Sequence, residues 1–392
     1  RWFIVKNKLV ILVTLVALLA PVFPLGAAPV HARDVAAVSA ADQPLCLPGL
    51  EPSAQLDCLN SGPSAQLDEL AKVGITFPSP QLFASRTPYS LATLPFNYAL
   101  VESSEVPLYA TVEDIENNHP TNKLIKSKIK YVSLQNKVDT DKGRFYQIAT
   151  TEWISEKNIT RVGISNFQGY IFKQNPTNNF GWIINETVGR SAPGYDAPET
   201  GTQYRREDKI FIYDSVTIKD IEWVEVGVNE WVEHRFVSRV TPSYTRPEGV
   251  PVDKWIEVNL YEQSLSAYEN DKLVFATLTA SGVKPFYTRP GVFQIQKKLD
   301  SDPMSGTFEL DKSDYYYLEE VPYIMYYDEA RALHGAYWQT LFGFQRSHGC
   351  VNLSVADSHW LFDWANVGDY VYVWDPSGKT PTDPALYGAG GF

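Results

Sequence analysis

Alternating apolar and polar positions, the pattern of β-strands, run through the carboxyl-terminal half of the chain. After Trp255, the apolar residues Ile256, Val258 and Leu260 would share one face of an extended segment, which predicts a strand with one buried face. Similar short runs follow at Leu265–Tyr268, Leu273–Ala280, Val292–Gln296 and Tyr370–Trp374. Separated by turn residues such as those at 269–271, these runs predict a compact, mainly β domain.

One helix is predicted within this β-rich region. Ser354 and Asp357 have the spacing of a capping box, in which each side chain satisfies a backbone N–H of the first turn. Trp360 and Trp364 follow one turn apart, and Gly368 stands where a helix through Asn366 would end.

Upstream, the chain contains an internal repeat. Residues 145–162 align without gaps on residues 223–240, with identical pairs at Glu152/Glu230, Trp153/Trp231, Arg161/Arg239 and Val162/Val240. Each copy has the pattern of an aromatic strand, a hairpin-length turn, a Trp-containing strand and a closing strand. The repeat predicts two small modules, at 106–165 and 166–241.

These modules resemble the bacterial SH3-like barrels that are found beside cell-wall enzymes. The resemblance implies either peptidoglycan-binding modules or simple spacers. We expect Trp153 and Trp231 to be core residues, because a Trp within a strand pattern is usually buried. The expected fold is therefore mainly β: two small SH3-like barrels followed by a β-rich domain at 250–375, with a short helix after Cys350.

The amino-terminal region indicates export. Basic residues precede the apolar run Leu9–Ala28, which Pro21 and Pro24 interrupt, and a small-x-small exit follows. We expect residues 1–32 to be a signal peptide cleaved after Ala32; the alternative is an uncleaved membrane anchor. Residues 33–105, with a duplicated Pro-Ser-Ala-Gln-Leu-Asp, are predicted to be a linker with a short helical repeat, and 376–392 a frayed tail.

Composition narrows the possible partners. The 392-residue chain is 44% hydrophobic and 13% aromatic, which favours folded domains over disorder, and its formal net charge is −12. Four lysines within Lys123–Lys130 are the one basic stretch, and we interpret them as a solvated face. An acidic chain without a basic stripe argues against nucleic acid as a partner.

The three cysteines divide into two groups. Cys46 and Cys58 lie close together in the sequence and could form a disulfide, which leaves Cys350 unpaired. An unpaired cysteine in an exported protein is either an intermolecular link or a reactive thiol. The neighbours of Cys350 favour the reactive thiol.

Cys350 lies within Ser347-His348-Gly349-Cys350-Val351-Asn352, and His334 lies sixteen residues upstream. An imidazole beside a thiol can form an ion pair that lowers the pKa of the thiol. His348 would point to the same side as Cys350 on an extended segment, and His334 would come from a neighbouring strand. The N–H groups of His348, Gly349 and Cys350 could bind an oxyanion, and the positive end of the following helix would favour a thiolate.

Other interpretations of this constellation are weaker. A metal site made of His334, His348 and Cys350 would have no fourth ligand and no paired-cysteine spacing. A papain-type protease has its cysteine before its histidine, the reverse of the order seen here. A purely structural buried cysteine does not explain the flanking Ser-His-Gly. We therefore expect a cysteine nucleophile that needs no cofactor.

The Ser-His-Gly-Cys-Val-Asn run, with His334-Gly335 upstream, resembles the signature of the L,D-transpeptidases with a YkuD-type catalytic domain, over about 250–375. The resemblance implies that Cys350 is the nucleophile and His334 the base, with His348, Ser347 and Gly349 in support. With Gly335 where some members have Ser, it also implies that a backbone carbonyl is the third catalytic contact, although Ser347 could instead orient a histidine. It implies a lid at Tyr315–Tyr323 and a donor pocket lined by Met304, Tyr316, Trp338 and Asn352.

The resemblance further implies an extracytoplasmic enzyme, secreted or associated with the cell wall, that acts on peptidoglycan stem peptides. Cys350 would displace the terminal D-Ala to form a thioester, and an amine from a neighbouring stem would resolve it as a 3→3 cross-link. Two alternatives remain open: hydrolysis of the same thioester, as in an L,D-carboxypeptidase, and a non-catalytic protein that binds the cell wall. A membrane is a partner only if the amino-terminal apolar segment stays uncleaved.

Overall fold

The structure is a computed structural model, and it describes residues 84–102, 105–124, 129–176, 178–307 and 315–387. The predicted signal peptide, most of the predicted linker and the possible Cys46–Cys58 disulfide lie outside these ranges. Among the residues described, no helix is long and apolar enough to cross a membrane.

The strands up to residue 161 are short and join several different sheets. They are β1 (Ala84–Arg86), β2 (Asn97–Val101), β3 (Val106–Leu108), β4 (Asn122–Leu124), β5 (Ile129–Leu134), β6 (Asn136–Thr140), β7 (Gly143–Gln147), β8 (Trp153–Ser155) and β9 (Ile159–Arg161). Helix α1 (Val112–Glu116) lies between β3 and β4, and 3-10 helices span Tyr89–Ala92 and Glu156–Asn158.

The middle of the chain forms β10 (Tyr170–Phe172), β11 (Asn179–Ile183), β12 (Thr187–Arg190), β13 (Glu199–Tyr204), β14 (Lys209–Ile212), β15 (Asp214–Ile218), β16 (Ile221–Gly227), β17 (Glu230–Glu233) and β18 (Val237–Val240). A 3-10 helix, His234–Phe236, separates β17 from β18. The order β14-β11-β18 makes one small sheet and β13-β12-β17-β16-β15 another.

The carboxyl-terminal region forms β19 (Lys254–Asn259), β20 (Ser264–Glu269), β21 (Lys272–Leu278), β22 (Gly291–Gln294), β23 (Lys297–Gly306), β24 (Tyr316–Asp328), β25 (Arg331–Gly335), β26 (Val351–Leu353) and β27 (Tyr370–Trp374). Helix α2 (Val355–Trp364) follows β26, and a 3-10 helix spans Pro384–Leu386. The strands and the helix predicted here from periodicity are confirmed, with the helix ending two residues earlier than expected.

Two sheets enclose the main core of this region. One has the order β1-β10-β21-β20-β19-β27-β22, and the other has the order β26-β25-β24-β5-β2-β9, with β23 paired to β24. Side chains such as Ile256, Phe275, Met325 and Leu353 fill the space between them. Leu361 of α2 closes the same core.

The linker predicted for 33–105 is wrong where the structure describes it, because β1 and β2 belong to the large sheets. β1 pairs with β10, and β2 lies between β5 and β9. β5 in turn pairs in parallel with the start of β24. Short edge strands of this kind have weak local signals, and partners far away in the sequence decide where they pair.

The internal repeat appears in the structure as two copies of one order of elements. β7, β8, a 3-10 helix and β9 correspond to β16, β17, a 3-10 helix and β18. Trp153 and Trp231 are half-buried rather than core residues, whereas the next residues, Ile154 and Val232, are buried. Successive side chains of a strand point to opposite faces, so each Trp lies on the face opposite to Ile154 or Val232, and Trp153 packs there against Tyr109, Ile115 and Phe145. The SH3-like assignment stays a prediction.

The strand predicted to have one buried face, β19, is covered on both faces at its start. Trp255 has no exposed surface, and its ring stacks on that of Tyr268 with the centroids 4.9 Å apart. Phe180, Trp182 and Phe211 from the second repeat region pack in the same cluster. That region therefore covers the outer face of the sheet, which alternation within β19 alone could not reveal.

Helix α2 is fixed to the rest of the fold by Asp357. Ser354 accepts the N–H of Asp357, as the predicted capping box requires. The buried Asp357 carboxylate instead accepts Thr87 Oγ1 at 2.7 Å, Thr277 Oγ1 at 2.6 Å and the Gly169 N–H at 3.0 Å. Burial raises the pKa of this carboxyl group, and these donors offset part of that effect.

We predict that Asp357→Ala lowers the free energy of unfolding by about 3 kcal/mol, because it leaves several buried donors without an acceptor. Calorimetry of the full chain should show a lower melting temperature. Asp363→Asn is the matched control on the same helix, since the Asp363 side chain is 65% exposed. Equal melting temperatures for the two variants would contradict the role given to Asp357.

Candidate functional site

Parallel pairing of β25 with β26 brings the two ends of the sequence motif together. Leu333 lies opposite Val351 and His334 lies opposite Asn352. Cys350 directly precedes β26 and is therefore beside the start of β25. The expectation that His334 comes from a neighbouring strand is confirmed.

His334 is almost fully buried, with 2% of its surface exposed. Its Nδ1 lies 3.1 Å from the carbonyl oxygen of Gly335. A proton on Nδ1 satisfies that carbonyl and leaves the lone pair on Nε2, the tautomer that a base needs. Burial lowers the pKa of His334 to about 4, because the charged ring loses its hydration, and the Gly335 carbonyl offsets this only in part.

Cys350 is half-buried, and its Sγ lies 3.8 Å from the carbonyl oxygen of Ala330. Burial raises the pKa of the Cys350 thiol to about 11, although the Ala332 N–H and the Arg331 charge both act to lower it. Burial thus shifts the pKa of each group towards its neutral form. The loss of hydration that two charges would suffer in this enclosed site opposes the ion pair predicted from sequence, which stays a prediction.

Ser347 holds the backbone of the loop that carries the nucleophile. Its hydroxyl donates to the carbonyl of Cys350 and accepts the Gly349 N–H at 3.1 Å. Ser347 therefore does not orient a histidine, and the Gly349 N–H predicted to bind an oxyanion is engaged with Ser347. The oxyanion role of the His348 and Cys350 N–H groups stays a prediction.

Gly349 turns the chain immediately before the nucleophile. Its φ of 114° lies in the region that favours glycine. Thr288 fixes this turn from outside, donating to the Gly349 carbonyl at 2.9 Å and accepting the Gly282 N–H at 2.8 Å. No pattern around Thr288 in the sequence indicates this role.

His348 points elsewhere than predicted. The turn at Gly349 breaks the extended segment, so the argument that His348 and Cys350 share a side does not apply. The His348 ring lies against Phe286, with centroids 4.9 Å apart, and against Tyr316 at 5.2 Å. This environment supports a packing role for His348 between the loop and the β23–β24 hairpin.

Residues predicted to line the donor pocket lie around the nucleophile. Met304, Tyr316 and Trp338 belong to one apolar cluster with Cys350, and the Trp338 ring lies 5.8 Å from that of His334. The fourth residue, Asn352, is buried beside His334, and its backbone bonds that of Ala280 in both directions. These positions are compatible with a pocket, and the contacts with a substrate stay a prediction.

The predicted lid at Tyr315–Tyr323 is part of a long hairpin formed by β23 and β24. Met304 pairs with Leu318, and Gly306 pairs with Tyr316 near the free end of the hairpin. Residues 308–314 lie outside the described ranges. Tyr316 therefore marks the end of the described hairpin above the Cys350 loop.

A buried charge cluster that the sequence analysis missed supports the strand before the site. Asp328 accepts Arg331 Nη1 at 3.0 Å and Arg289 Nε at 2.9 Å, and Arg289 Nη2 makes a further short contact. Arg331 is also the cation that lowers the pKa of Cys350. The Asp328-x-x-Arg331 spacing was available in the sequence, but a separation of three residues does not by itself indicate burial.

Two further features bear on what the site can bind. The residues described contain no group of three or more His, Cys, Asp and Glu that could hold a metal ion. A cleft of about 520 Å³ lies between β18 and the ends of β19 and β27, with Glu257, Tyr261 and Trp374 among its lining residues. Cys350 and His334 do not line that cleft, so it is separate from the candidate site.

Comparison with known proteins identifies the carboxyl-terminal region. Residues 253–373 match the family model of the L,D-transpeptidase catalytic domain, called YkuD. The solved catalytic domain of an Enterococcus faecium L,D-transpeptidase is 30% identical, over 31% of this chain and 97% of that one, with a TM-score of 0.29. No curated protein matches the chain.

Two other solved structures are similar over longer parts of this chain. An L,D-transpeptidase from Stackebrandtia nassauensis is 26% identical over 36% of this chain and 63% of its own, with a TM-score of 0.28. The chain thus spans less than two thirds of that relative. An L,D-transpeptidase from Mycobacterium smegmatis is 17% identical over 54% of this chain and 93% of its own, with a TM-score of 0.30.

We predict that alkylation of Cys350 by iodoacetamide is slow at pH 7 and rises about tenfold per pH unit towards pH 10, because only the thiolate reacts. Mass spectrometry of the Cys350 peptide would measure the rate. In the urea-unfolded chain the rate for the same peptide should be half-maximal near pH 8.5, the ordinary pKa of a thiol, and level off above it. A folded protein whose rate is already constant at pH 7 would instead contain the ion pair.

Proposed function

We propose, on the premise that residues 253–373 make this chain a member of the YkuD-type L,D-transpeptidases, that the protein is a cysteine acyltransferase that cross-links peptidoglycan. The observation that carries the proposal is the placement of Cys350. It lies one strand away from the buried His334 and within the cluster of Met304, Tyr316 and Trp338.

The first step is acylation of the thiol. His334 Nε2 takes the proton of Cys350 as the sulfur attacks the carbonyl between the third residue of the donor stem and its terminal D-Ala. The carbon–nitrogen bond then breaks, the D-Ala amine leaves with that proton, and a thioester remains. Since burial favours the neutral form of both groups, we assign His334 as a general base that takes the proton during the attack.

The second step transfers the acyl group. An amine from a neighbouring stem attacks the thioester and loses a proton to His334, and Cys350 returns to its thiol form. The product is a 3→3 cross-link, and neither an oxidant nor ATP is consumed. Water in place of the amine would give a tripeptide stem instead, the outcome expected of an L,D-carboxypeptidase.

The remainder of the chain is consistent with a function at the cell wall. Peptidoglycan lies outside the cytoplasmic membrane, in agreement with the export signal predicted for residues 1–32. We assign the repeat regions at 106–165 and 166–241 as SH3-like modules that orient the catalytic domain relative to the wall.

We predict that the purified full chain converts disaccharide-tetrapeptides into dimers that have lost one D-Ala. Mass spectrometry of the muropeptides would detect the dimers, and Cys350→Ala is the control without a nucleophile. Tripeptide monomers without dimers would replace the transpeptidase with a carboxypeptidase. Unchanged tetrapeptides, together with binding of the protein to sacculi, would favour the non-catalytic alternative.

The two histidines should differ in their effect on acylation. The E. faecium catalytic domain has been solved acylated by ertapenem, and we expect the same adduct on Cys350. His334→Ala should lower the acylation rate at least about 100-fold, because it removes a general base. His348→Ala should lower it by about tenfold or less, because its ring lies against Phe286 and Tyr316 and the role of base is assigned to His334. Intact-mass time courses compare the two, and the reverse order would transfer the role of base to His348.

A further inference from the structure

The β23–β24 hairpin beside Cys350 contains a bulge. Asp302 pairs with Val321 and Met304 pairs with Leu318, so a single residue of β23 lies opposite two residues of β24, Glu319 and Glu320. Bulges bend a strand and redirect its side chains. This one separates the part of β24 that pairs with β5 from the part that pairs with β25.

The backbone at the bulge needs support from outside the hairpin. Glu320 has a φ of 49°, a left-handed conformation that is unfavourable for a residue other than glycine. Tyr337 donates its hydroxyl to the Glu319 carbonyl at 2.7 Å, and Tyr98 donates its own to the Glu320 carbonyl at 3.2 Å. The two tyrosine rings stack with centroids 3.7 Å apart.

The Glu319 side chain fastens the same bulge to the upstream strands. It is fully buried, and its Oε2 accepts the Ser133 N–H at 2.9 Å, the Ser133 hydroxyl at 3.1 Å and the Ala149 N–H at 3.1 Å. Its Oε1 accepts the Tyr317 hydroxyl at 3.0 Å. Burial raises the pKa of Glu319, and these donors act against that effect. Such a buried carboxylate is tolerated only when it is fully hydrogen-bonded.

The bulge held by Glu319, Tyr98 and Tyr337 packs against the site. Leu318 and Val321, on either side of it, pack in the cluster that contains Met304 and Cys350. A second set of contacts leads to His334, the proposed base. The ring centroids of Tyr131 in β5 and Trp338 lie 6.1 Å apart, and those of Trp338 and His334 lie 5.8 Å apart. The upstream strands therefore contact the hairpin at the bulge and, through Tyr131, the Trp338 ring beside His334.

We propose that Glu319 is a positioning residue of the enzyme. By fastening the β24 bulge to β5 and to the turn after β7, it sets the distance between the hairpin and the Cys350 loop. Residues 97–161 are then part of the active-site framework and more than a separate wall-binding module. This inference rests on the proposed acyltransferase function.

The test compares two substitutions at one position. Glu319→Ala removes the acceptor, and the rate of Cys350 acylation by ertapenem should fall about 10- to 100-fold, because misplacing one side of a pocket has effects of that size. Glu319→Gln should stay within about threefold of the wild type, because the amide oxygen can accept the Ser133 and Ala149 N–H groups and its NH₂ can donate to Tyr317. An acid or base role for Glu319 predicts instead that both variants lose activity equally.

Controls separate positioning from damage to the thiol or to the fold. Glu320→Gln changes the neighbouring carboxylate, which is bonded to Ser301 Oγ at 2.7 Å on the exposed side, and should behave as the wild type. Iodoacetamide labelling of Cys350 at pH 9 and the melting temperature are measured for every variant. Labelling should be unchanged in Glu319→Ala, because a small reagent does not need the hairpin.

A second variant covers the case in which Glu319→Ala does not fold. Tyr98→Phe combined with Tyr337→Phe keeps the stacked rings, removes only the two hydroxyls at the bulge, and should lower acylation about tenfold. The inference is overturned if folded Glu319→Ala, or the folded Tyr98→Phe, Tyr337→Phe double variant, is acylated at the normal rate. It is also overturned if acylation and labelling fall equally. Failure of the wild type itself to acylate refutes the proposed function, which is a different outcome.

Discussion

Parallel pairing between β25 and β26 is the constraint on which the site depends. A parallel pair needs a crossover, and residues 336–350 provide it without a helix of their own. Backbone hydrogen bonds to Ala280 and Ser281 hold the end of this crossover and the strand after it. Ser347 bonds Ser281, and Asn352 of β26 bonds Ala280. Because the register sets His334 opposite Asn352, a shift by one residue would turn the histidine to the other face of the sheet.

Desolvation opposes the charged forms of Cys350 and His334. The fold surrounds both with apolar side chains, which raises the pKa of the thiol and lowers that of the imidazole. Arg331 opposes this for Cys350, but its charge is shared with Asp328. Burial therefore favours the neutral forms of Cys350 and His334, and the proposed mechanism has the proton transferred as the sulfur attacks.

The sequence was informative where chemistry and local periodicity coincide. Cys350 and His334 could be identified because few residue types make a thiol reactive, and strands such as β19 and β27 because alternation is local. The placement of His348 could not be predicted, since one glycine turn at Gly349 redirects the chain. Ser347 has several possible partners, and only the folded loop selects among them.

Contacts distant in sequence account for the other differences. β5 joins β24 across almost two hundred residues, and no pattern within either strand encodes that pairing. Trp153 and Trp231 were expected to be buried from residue type alone, but the phase of the strand places Ile154 and Val232 inside instead. Glu319 looks like an ordinary surface glutamate in the sequence, because its donors come from Ser133 and Ala149.

The high pKa of Cys350 has a consequence for the lifetime of the enzyme. Peroxides and disulfides react with a thiolate far faster than with a thiol. In the extracytoplasmic location proposed above, no glutathione pool repairs an oxidised cysteine, so a permanently ionised thiolate would be lost with each oxidation. Burial that favours the protonated sulfur therefore slows this loss.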